Sequence, residues 1–232
     1  MLLPLNDIIE WDVLNWSELI PEWSPIIDKL DNDSKILAIG ERNGGLSIWL
    51  ALKGFNVVCT DRTGPEPYAE TLHRKYGVSD KIKYDELDIV NCKWQTAQFD
   101  LIIAKSVIGG LKADNKDKKT RTFQVQQQAV SNIYGLLKPG GYFLSAENMQ
   151  GSFLLKQLRK IKKKDMGWRH FSWKEINVLY TPFTQVNTKA FGVLPTLFSN
   201  SIANRIIFVI NKYILQILPP STKYISFTAA RK

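Results

Sequence analysis

Short apolar runs alternate with amphipathic segments along residues 35–146. Apolar runs that end at Gly or Asp predict buried strands, and segments with apolar residues on one helical face predict helices. The predicted strands are Ile36–Ile39, Asn56–Thr60, Lys81–Leu87, Asp100–Ala104 and Tyr142–Ala146. The predicted helices are Leu46–Leu52, Pro65–Tyr76 and Phe123–Leu137, and a tight turn at Lys138–Gly141 precedes the fifth strand. This alternation predicts an α/β fold with a parallel sheet and helices on both faces.

The two ends of the chain extend this unit. Residues 1–34 space three tryptophans among apolar residues and prolines, which predicts a helical lead-in of short helices before a domain at 35–232. Thr184–Phe191 and Thr222–Ala230 are predicted to pair as antiparallel closing strands. The complete sheet would then have seven strands, most of them parallel.

An amphipathic helix is predicted near 201–218, as an insertion between the two closing strands. On a helical wheel, its isoleucines, Val209, Tyr213 and Leu218 fill one half, and its polar residues fill the other. Charged residues interrupt it too often for it to span a bilayer. Its alternative roles are packing on this domain, packing on a second subunit, and service as a lid or a contact with a membrane surface.

Composition narrows the class of protein. The chain has 232 residues, of which 44% are hydrophobic and 23% charged, which is typical of a globular protein. Cys59, Cys92 and two histidines are too few for a disulfide framework, and they argue against a zinc site or other metal site. The first residues lack a basic, then apolar, signal-peptide pattern, so a cytoplasmic protein is expected.

Charge is distributed unevenly along the chain. Residues 151–232 contain 14 Lys or Arg and two acidic residues, whereas residues 1–150 contain 17 and 20. A basic segment is centred near 156–174. This asymmetry indicates an anionic partner for the C-terminal third, such as an anionic membrane surface, or simply a solvated basic face. Two further interpretations stay open: the protein lies at the periphery of the inner membrane, and it forms a homo-oligomer.

A glycine-containing loop, Gly40-Glu41-Arg42-Asn43-Gly44-Gly45, joins the first predicted strand to its helix. Glycine permits a tight turn, and the start of the helix offers free N–H groups. Asp61 ends the second predicted strand, 21 residues after Gly40. An acid at that point can accept both ribose hydroxyls of a nucleoside-containing cofactor. The order of strand, loop, helix, strand and acid therefore predicts an adenosine-cofactor site.

Two cofactors that contain adenosine are compatible with this pattern, a dinucleotide and S-adenosylmethionine. The dinucleotide fingerprint is Gly-x-Gly-x-x-Gly, but Arg42 stands at its second glycine, which also disfavours an NAD-dependent oxidoreductase. Further motifs are Leu87-Asp88-Ile89, Phe99–Ile103 and the Lys-Pro-Gly-Gly turn within Leu136–Leu144. With these motifs, residues 35–147 resemble the class I S-adenosylmethionine-dependent methyltransferases. The resemblance implies a Rossmann-like methyltransferase fold and S-adenosylmethionine as the cofactor.

The resemblance also implies roles for individual residues. Gly40 and Gly44 would lie under the methionine portion, Asp61 would hold the ribose, and Asp88 with Ile89 would lie beside the adenine. Lys105 would line the mouth where methyl donor and acceptor meet. The implied cofactor-binding set is Gly40, Glu41, Arg42, Gly44, Asp61, Arg62, Asp88, Ile89 and Lys105.

Two positions depart from the family pattern. The family usually has an acid where Ala38 stands and a glycine where Arg42 stands. The missing acid removes a partner of the loop or the cofactor. Arg42 adds a cation that can pair with the cofactor's carboxylate, with Glu41 or with Asp61. These departures keep open a catalytically degenerate methyltransferase fold that serves as a binding module.

The acceptor is indicated by further resemblance. Gly44–Ala51, Lys105–Gly110 and Gly167–His170 are similar to a bacterial methyltransferase group associated with surface polysaccharide gene clusters. This similarity implies O-methylation of a sugar or a glycan precursor. A sugar hydroxyl is a poor nucleophile at neutral pH, so a base would help. The candidates are His170, an imidazole that titrates near neutrality, and Glu147, which follows the fifth strand.

A nucleic-acid methyltransferase is the alternative that the basic C-terminal third favours. Against it, the fourth strand ends in Ala104-Lys105-Ser106-Val107. Base N-methylases have an Asn/Asp-Pro-Pro-aromatic element there. A small-molecule or glycan acceptor is therefore expected, and a nucleic-acid partner is not.

Overall fold

The strands form one seven-stranded sheet. A computed structural model describes residues 3–94, 97–111, 120–161 and 168–232. The strand bounds are β1 Ile36–Ile39, β2 Val57–Asp61, β3 Ile82–Glu86, β4 Phe99–Lys105, β5 Leu137–Asn148, β6 Gln185–Phe191 and β7 Ile225–Arg231. They stand in the order β3-β2-β1-β4-β5-β7-β6.

Most neighbouring strands run parallel. β1 lies between β2 and β4 and is parallel to both, while β7 runs antiparallel to β5 and β6. All four residues of β1 are buried, as a strand covered on both faces requires. The predicted mostly parallel sheet with an antiparallel closing pair is confirmed.

β5 begins five residues before the predicted strand. The predicted turn at Lys138–Gly141 lies inside this strand, where the register jumps from the pair Phe99–Leu137 to the pair Leu101–Tyr142. Gly140, at φ +81°, allows the extra residues to bulge from the ladder. The turn residues therefore interrupt β5 only locally, and β5 pairs with β4 both before and after them.

Helices cover both faces of the sheet. Their bounds are α1 Leu5–Ile9, α2 Val13–Trp16, α3 Leu19–Ile27, α4 Gly45–Leu52, α5 Pro67–Lys75, α6 Thr120–Leu136, α7 Phe153–Ile161, α8 Trp173–Leu179 and α9 Ser201–Tyr213. Ile36 and Ala38 of β1 point into a core with α1–α4, Leu155 of α7 and Phe208 of α9. Leu37 and Ile39 point into a second core with α6 and α8.

The helical lead-in packs directly on the domain. Ile8, Trp16 and Trp23 are buried in the first core. The backbone of α1 approaches α4 so closely that a Cβ built on Gly45 would lie 2.4 Å from the carbonyl oxygen of Ile8. Residues 3–34 are thus continuous with the core, and the α1–α2 connection reaches the edge of the sheet where the candidate site residues lie.

Helix α9 lies between β6 and β7, and the side of α9 that faces the protein carries Asn211 and Phe208. Asn211 is buried, whereas Ile202, Ile206, Val209 and Tyr213 are exposed. Packing on this domain through the apolar half is therefore not what the structure shows. No helix in the described ranges is both long enough and apolar enough to cross a membrane.

Candidate cofactor and active site

The glycine loop lies at the carboxyl end of β1, between β2 and β4. Gly40 and Gly44 have φ of +67° and +72°, a region that glycine enters without steric cost. A Cβ at Gly40 would lie 2.4 Å from Cγ2 of Val107, and one at Gly44 would lie 2.3 Å from Nε2 of His73. Both positions therefore need glycine for conformation and for close packing.

Two buried side chains hold the loop in place. The Glu41 carboxylate accepts the N–H of Ser47 at 2.9 Å and so satisfies a free donor in the first turn of α4. Burial raises the pKa of Glu41 to about 7. On the other side, His73 Nε2 donates to the Gly44 carbonyl at 2.9 Å.

His73 is fixed as a neutral imidazole. Because Nε2 donates to a carbonyl, Nδ1 accepts, and the Tyr84 hydroxyl donates to it at 2.6 Å. Burial lowers the pKa of His73. The sequence gives no motif for this pair, since β3 and α5 contribute one residue each and only the fold brings them under the loop.

The carboxylates predicted for ribose and adenine follow β2 and β3. Asp61 Oδ1 accepts the N–H of Arg62 at 2.6 Å, and burial raises the pKa of Asp61. Asp88 accepts N–H groups of Val90 and Asn91, and its Oδ2 lies 3.8 Å from Nε of Arg62. These residues thus lie together at one edge of the sheet, and their roles toward ribose and adenine stay predictions.

Arg42 and Ile89, two further residues of the predicted cofactor-binding set, differ in exposure and in contacts. Arg42 Nε lies 3.7 Å from Glu66, and most of the Arg42 side chain is exposed. Its ion-pair partner is therefore Glu66 and not Glu41 or Asp61, although its charge partly opposes the rise in the pKa of Asp61 that burial causes. Ile89 is buried, and Asn132 of α6 donates to its carbonyl at 2.8 Å.

Lys105, the last residue of β4, is buried under the N-terminal segment. Its Nζ lies 3.4 Å from the centroid of the Trp11 ring and 3.8 Å from Oε2 of Glu10. Burial lowers the pKa of Lys105 to about 8. Glu10 also accepts from the side chain of Asn43 in the glycine loop. Sequence analysis missed Glu10 and Trp11, because the lead-in carries no motif that indicates a site.

Glu147, one of the two candidate bases, is fully buried. Its carboxylate accepts N–H groups of Val107, Ile108 and Gly109 at 3.1, 2.8 and 3.1 Å. Burial raises the pKa of Glu147 to about 7. This geometry lets Glu147 position the turn after β4, and its catalytic role stays a prediction.

His170, the other candidate base, is partly exposed beside the same turn. The N–H of Arg169 donates to the Gly109 carbonyl at 2.8 Å, and the Trp168 ring packs against Gly109 and Gly110. Glu147 thus contacts residues 107–109 directly, and the two residues that precede His170 contact Gly109 and Gly110. Lys162–Lys164 of the basic segment lie outside the described residues.

Backbone strain marks the junction of these elements. Ser106, directly after Lys105, has φ +56°, an uncommon value for a residue with a side chain. Its N–H donates to the Ala146 carbonyl at 2.7 Å, and its Oγ accepts from Asn148 at 2.7 Å. Strained residues held by such contacts cluster at functional sites.

A separate cleft of about 650 Å³ opens at the opposite, amino edge of the sheet. Lys35, Asn56, Lys81 and Trp94 line it, together with the first residues of β1–β4. None of the predicted site residues is in this lining. The candidate site is therefore defined by side-chain geometry at the carboxyl edge, not by this cleft.

Comparison with known proteins identifies the unit that carries the site. Residues 37–145 match the family model described as a methyltransferase domain. The match covers slightly less than half of the chain. Domains of this class use S-adenosylmethionine as the methyl donor. The match covers the glycine loop, Asp61, Asp88 and Lys105, and it ends before the catalytic candidates Glu147 and His170.

Solved structures share the fold over almost the whole chain. Phosphoethanolamine N-methyltransferase 2 of Haemonchus contortus is 17% identical, with a TM-score of 0.64 over 94% of this chain and 52% of its own. A Methanosarcina mazei methyltransferase is 19% identical, with a TM-score of 0.58 over 90% and 96%. The cyclase SpnF is 13% identical, with a TM-score of 0.61 over 94% and 83%.

These similarities establish the Rossmann-like methyltransferase fold. The chain spans about half the length of the Haemonchus contortus enzyme, and one similar structure is a cyclase. A fold hosts many reactions, so the acceptor must be argued from the side chains at the candidate site of this chain.

Proposed function

We propose that this protein transfers the methyl group of S-adenosylmethionine to a hydroxyl of a sugar or glycan precursor. The observation that carries the proposal is the shared position of the glycine loop, Asp61 and Lys105 at the carboxyl edge of the sheet. They surround the point where the chain order reverses between β1 and β4, which is where open α/β sheets bind their ligands.

The donor set fits the cofactor. Arg62 occupies one lone pair of the Asp61 carboxylate, which has others for the two ribose hydroxyls. Asp88 and Ile89 supply a carboxylate and an apolar contact for the adenine, and the glycine loop admits the methionine portion. When bound, S-adenosylmethionine supplies an electrophilic methyl group on a sulfonium. The chain's part is to align the acceptor and exclude water.

The acceptor side combines an aromatic ring with polar groups. Trp11 is 39% exposed and offers a flat apolar surface beside Lys105. Asn148 donates to Ser106 directly before the turn at 107–110, and His170 follows Arg169, whose N–H donates to the Gly109 carbonyl of that turn. Such a surface with a few polar groups suits a carbohydrate. Together with the resemblance to enzymes of polysaccharide gene clusters, it supports O-methylation in polysaccharide biosynthesis.

His170 is the proposed general base. It is partly exposed, whereas the Glu147 carboxylate is buried and already accepts three N–H groups. A proton from the acceptor hydroxyl would pass to a ring nitrogen of His170 as the methyl group is transferred. The proposed compartment is the cytoplasm, whose reducing conditions suit the free thiols of Cys59 and Cys92.

Calorimetric titration with S-adenosylhomocysteine tests cofactor binding. We expect one site in the wild type and an affinity lower by about 10- to 100-fold in Asp61→Ala, because hydrogen bonds to a charged carboxylate are lost. Asp80→Ala is the matched control, since it removes a carboxylate at the opposite edge of the sheet. Absence of binding by the wild type would contradict the proposed cofactor.

Methyl transfer from labelled S-adenosylmethionine to a panel of acceptors tests the second half of the proposal. The panel contains nucleotide sugars, lipid-linked glycans, small amines and RNA. We expect incorporation into a carbohydrate acceptor, and a kcat about 100-fold lower in His170→Gln with unchanged affinity for S-adenosylhomocysteine. Labelling of amines or RNA alone would refute the sugar acceptor while leaving cofactor binding intact.

A further inference from the structure

Helix α9 presents an apolar surface to solvent. We define the α9 stripe as Ile202, Ile206, Val209, Tyr213 and Ile217, which recur at helical spacing on one side of α9 and the turn after it. Their exposed fractions are 67, 55, 50, 72 and 87%. Single exposed apolar residues are ordinary, but a row of five on one element indicates an interaction surface.

The outward orientation is fixed by buried hydrogen bonds on the opposite side of the helix. Asn211 Oδ1 accepts the N–H groups of Val193 and Leu194, each at 3.1 Å, and its Nδ2 donates to Asn15 and to the Leu194 carbonyl. Rotating the stripe inward would break four hydrogen bonds of a residue that is 1% exposed. The buried hydrogen bonds of Asn211 therefore keep the α9 stripe exposed to solvent.

A second group of exposed apolar residues lies on α7. Phe153, Leu154 and Leu158 are 76, 63 and 46% exposed, while Leu155 packs in the first core. Phe208 of α9 packs against the same core. Both apolar groups thus belong to helices on the same face of the sheet.

The charges around these helices favour an anionic occupant. Residues 176–232 contain no acidic residue, and the exposed cations include Arg205 on α9 and Lys156 on α7. Two acids at the start of α3 are already paired, Glu18 with Lys212 and Glu22 with Lys189. A symmetric dimer through the stripe would bring the same cations of two copies together, which is unfavourable.

We propose that the α9 stripe inserts into the headgroup region of an anionic bilayer, with Arg205 and Lys156 contacting lipid phosphates. Amphipathic helices bind membranes in this way, by an apolar face with flanking cations, and Tyr213 suits the interfacial depth. The stripe is also tied to the site. Asn211 donates to Asn15, and Asn15 donates to Asp12, the neighbour of Trp11 over Lys105.

Flotation of the 232-residue chain with vesicles tests the surface without any assumption about the acceptor. The probes are phosphatidylcholine vesicles and mixed phosphatidylcholine–phosphatidylglycerol vesicles, at low and high salt. We expect binding to the mixed vesicles only, weakened by salt. The triple variant Ile202→Gln, Ile206→Gln, Val209→Gln should bind at least about tenfold more weakly, because it loses apolar insertion.

Two further variants separate the contributions. Val178→Gln with Val186→Gln changes exposed apolar residues of α8 and β6 and should bind like the wild type. Arg205→Gln should weaken binding about fivefold, the expected contribution of one cation near an anionic surface. All variants should keep the wild-type melting temperature, since the altered side chains are exposed.

Three results would overturn the proposal: no binding to mixed vesicles at low salt, equal binding by the triple variant, or equal binding to both kinds of vesicle. A dimer that dissociates in the triple variant, without vesicle binding, would assign the stripe to contact between copies of the chain.

Discussion

At the scale of single residues, the site depends on close packing beneath the glycine loop. Gly44 has a positive φ, and the His73 ring occupies the space where any larger residue would place its Cβ. Burial lowers the pKa of His73, and Tyr84 hydrogen-bonds its Nδ1. The conformation of the loop is therefore determined by side chains that do not themselves need to touch the cofactor.

Gly44→Ala separates backbone strain from steric conflict when it is compared with Gly77→Ala. Gly77 has a similar φ, +65°, but a Cβ there meets nothing within 4 Å. Gly77→Ala should lower the free energy of unfolding by about 1 kcal/mol. Gly44→Ala should cost about 1–3 kcal/mol more, because the His73 ring must shift.

Urea denaturation and titration with S-adenosylhomocysteine check both variants. Only Gly44→Ala should also weaken binding. Equal loss of stability in the two variants would mean that His73 does not pack against the loop as described.

The lowered pKa of His73 predicts a pH-dependent contribution to stability. The unfolded histidine protonates near 6.5, and the folded one only at lower pH. The unfolded state therefore binds more protons below 6.5, so this contribution is fully present above that pH and is lost as the pH falls. His73→Gln should be less stable than the wild type at about pH 7.5, and the difference should shrink toward about pH 5.5.

Denaturation at several pH values measures this difference. With two histidines in the chain, loss of one imidazole resonance in His73→Gln also assigns the NMR titration. A His73 resonance that titrates above 6.5 would contradict the buried neutral ring.

At the scale of elements, α9 is attached through polar contacts that join distant parts of the chain. Asp12 is buried, and it accepts from Asn15, Thr196 and Tyr224. Asn211 links α9 to the same cluster through Asn15. Burial raises the pKa of Asp12 even though these donors oppose the shift. The cluster fixes the N-terminal segment over Lys105 and α9 against the sheet.

Asn211→Ala should lower the free energy of unfolding by about 2–4 kcal/mol, because it leaves buried N–H and C=O groups without partners. The matched variant is Asn204→Ala on the same helix. Its side chain bonds the backbone of Phe198 in an exposed position, so about 1 kcal/mol or less is expected. Urea denaturation measures both. Similar small losses would show that the cluster contributes little to holding α9.

At the scale of the whole molecule, topology collects the site from distant segments. Because β1, β2, β4 and β5 are parallel, their carboxyl ends meet at one edge, and the residues that follow them surround one space. The N-terminal segment then crosses this edge and places Glu10 and Trp11 beside Lys105. The α9 stripe belongs to the same assembly, because the Asp12 cluster joins it to that segment.

The sequence by itself determined the sheet and the cofactor edge. Apolar runs such as Ile36–Ile39, with the spacing of Gly40, Gly44, Asp61 and Asp88, are local patterns that a buried parallel strand and its loop impose directly. The bounds of β5 were misjudged, since the Lys138–Gly141 turn signal does not show that pairing resumes on both sides.

Tertiary structure alone decided which side chains face which neighbours. The helical period of α9 predicts an apolar side and a polar side, but it does not show which side faces the protein. Asn211 forms buried hydrogen bonds with Asn15, Val193 and Leu194, and these bonds leave the α9 stripe on the solvent side. Similarly, the folded chain brings three backbone N–H groups to the carboxylate of Glu147. His73 and Trp11 lie at the candidate site although the segments that carry them contain no motif. Contacts between residues far apart in the chain leave no local pattern, so only the folded chain reveals them.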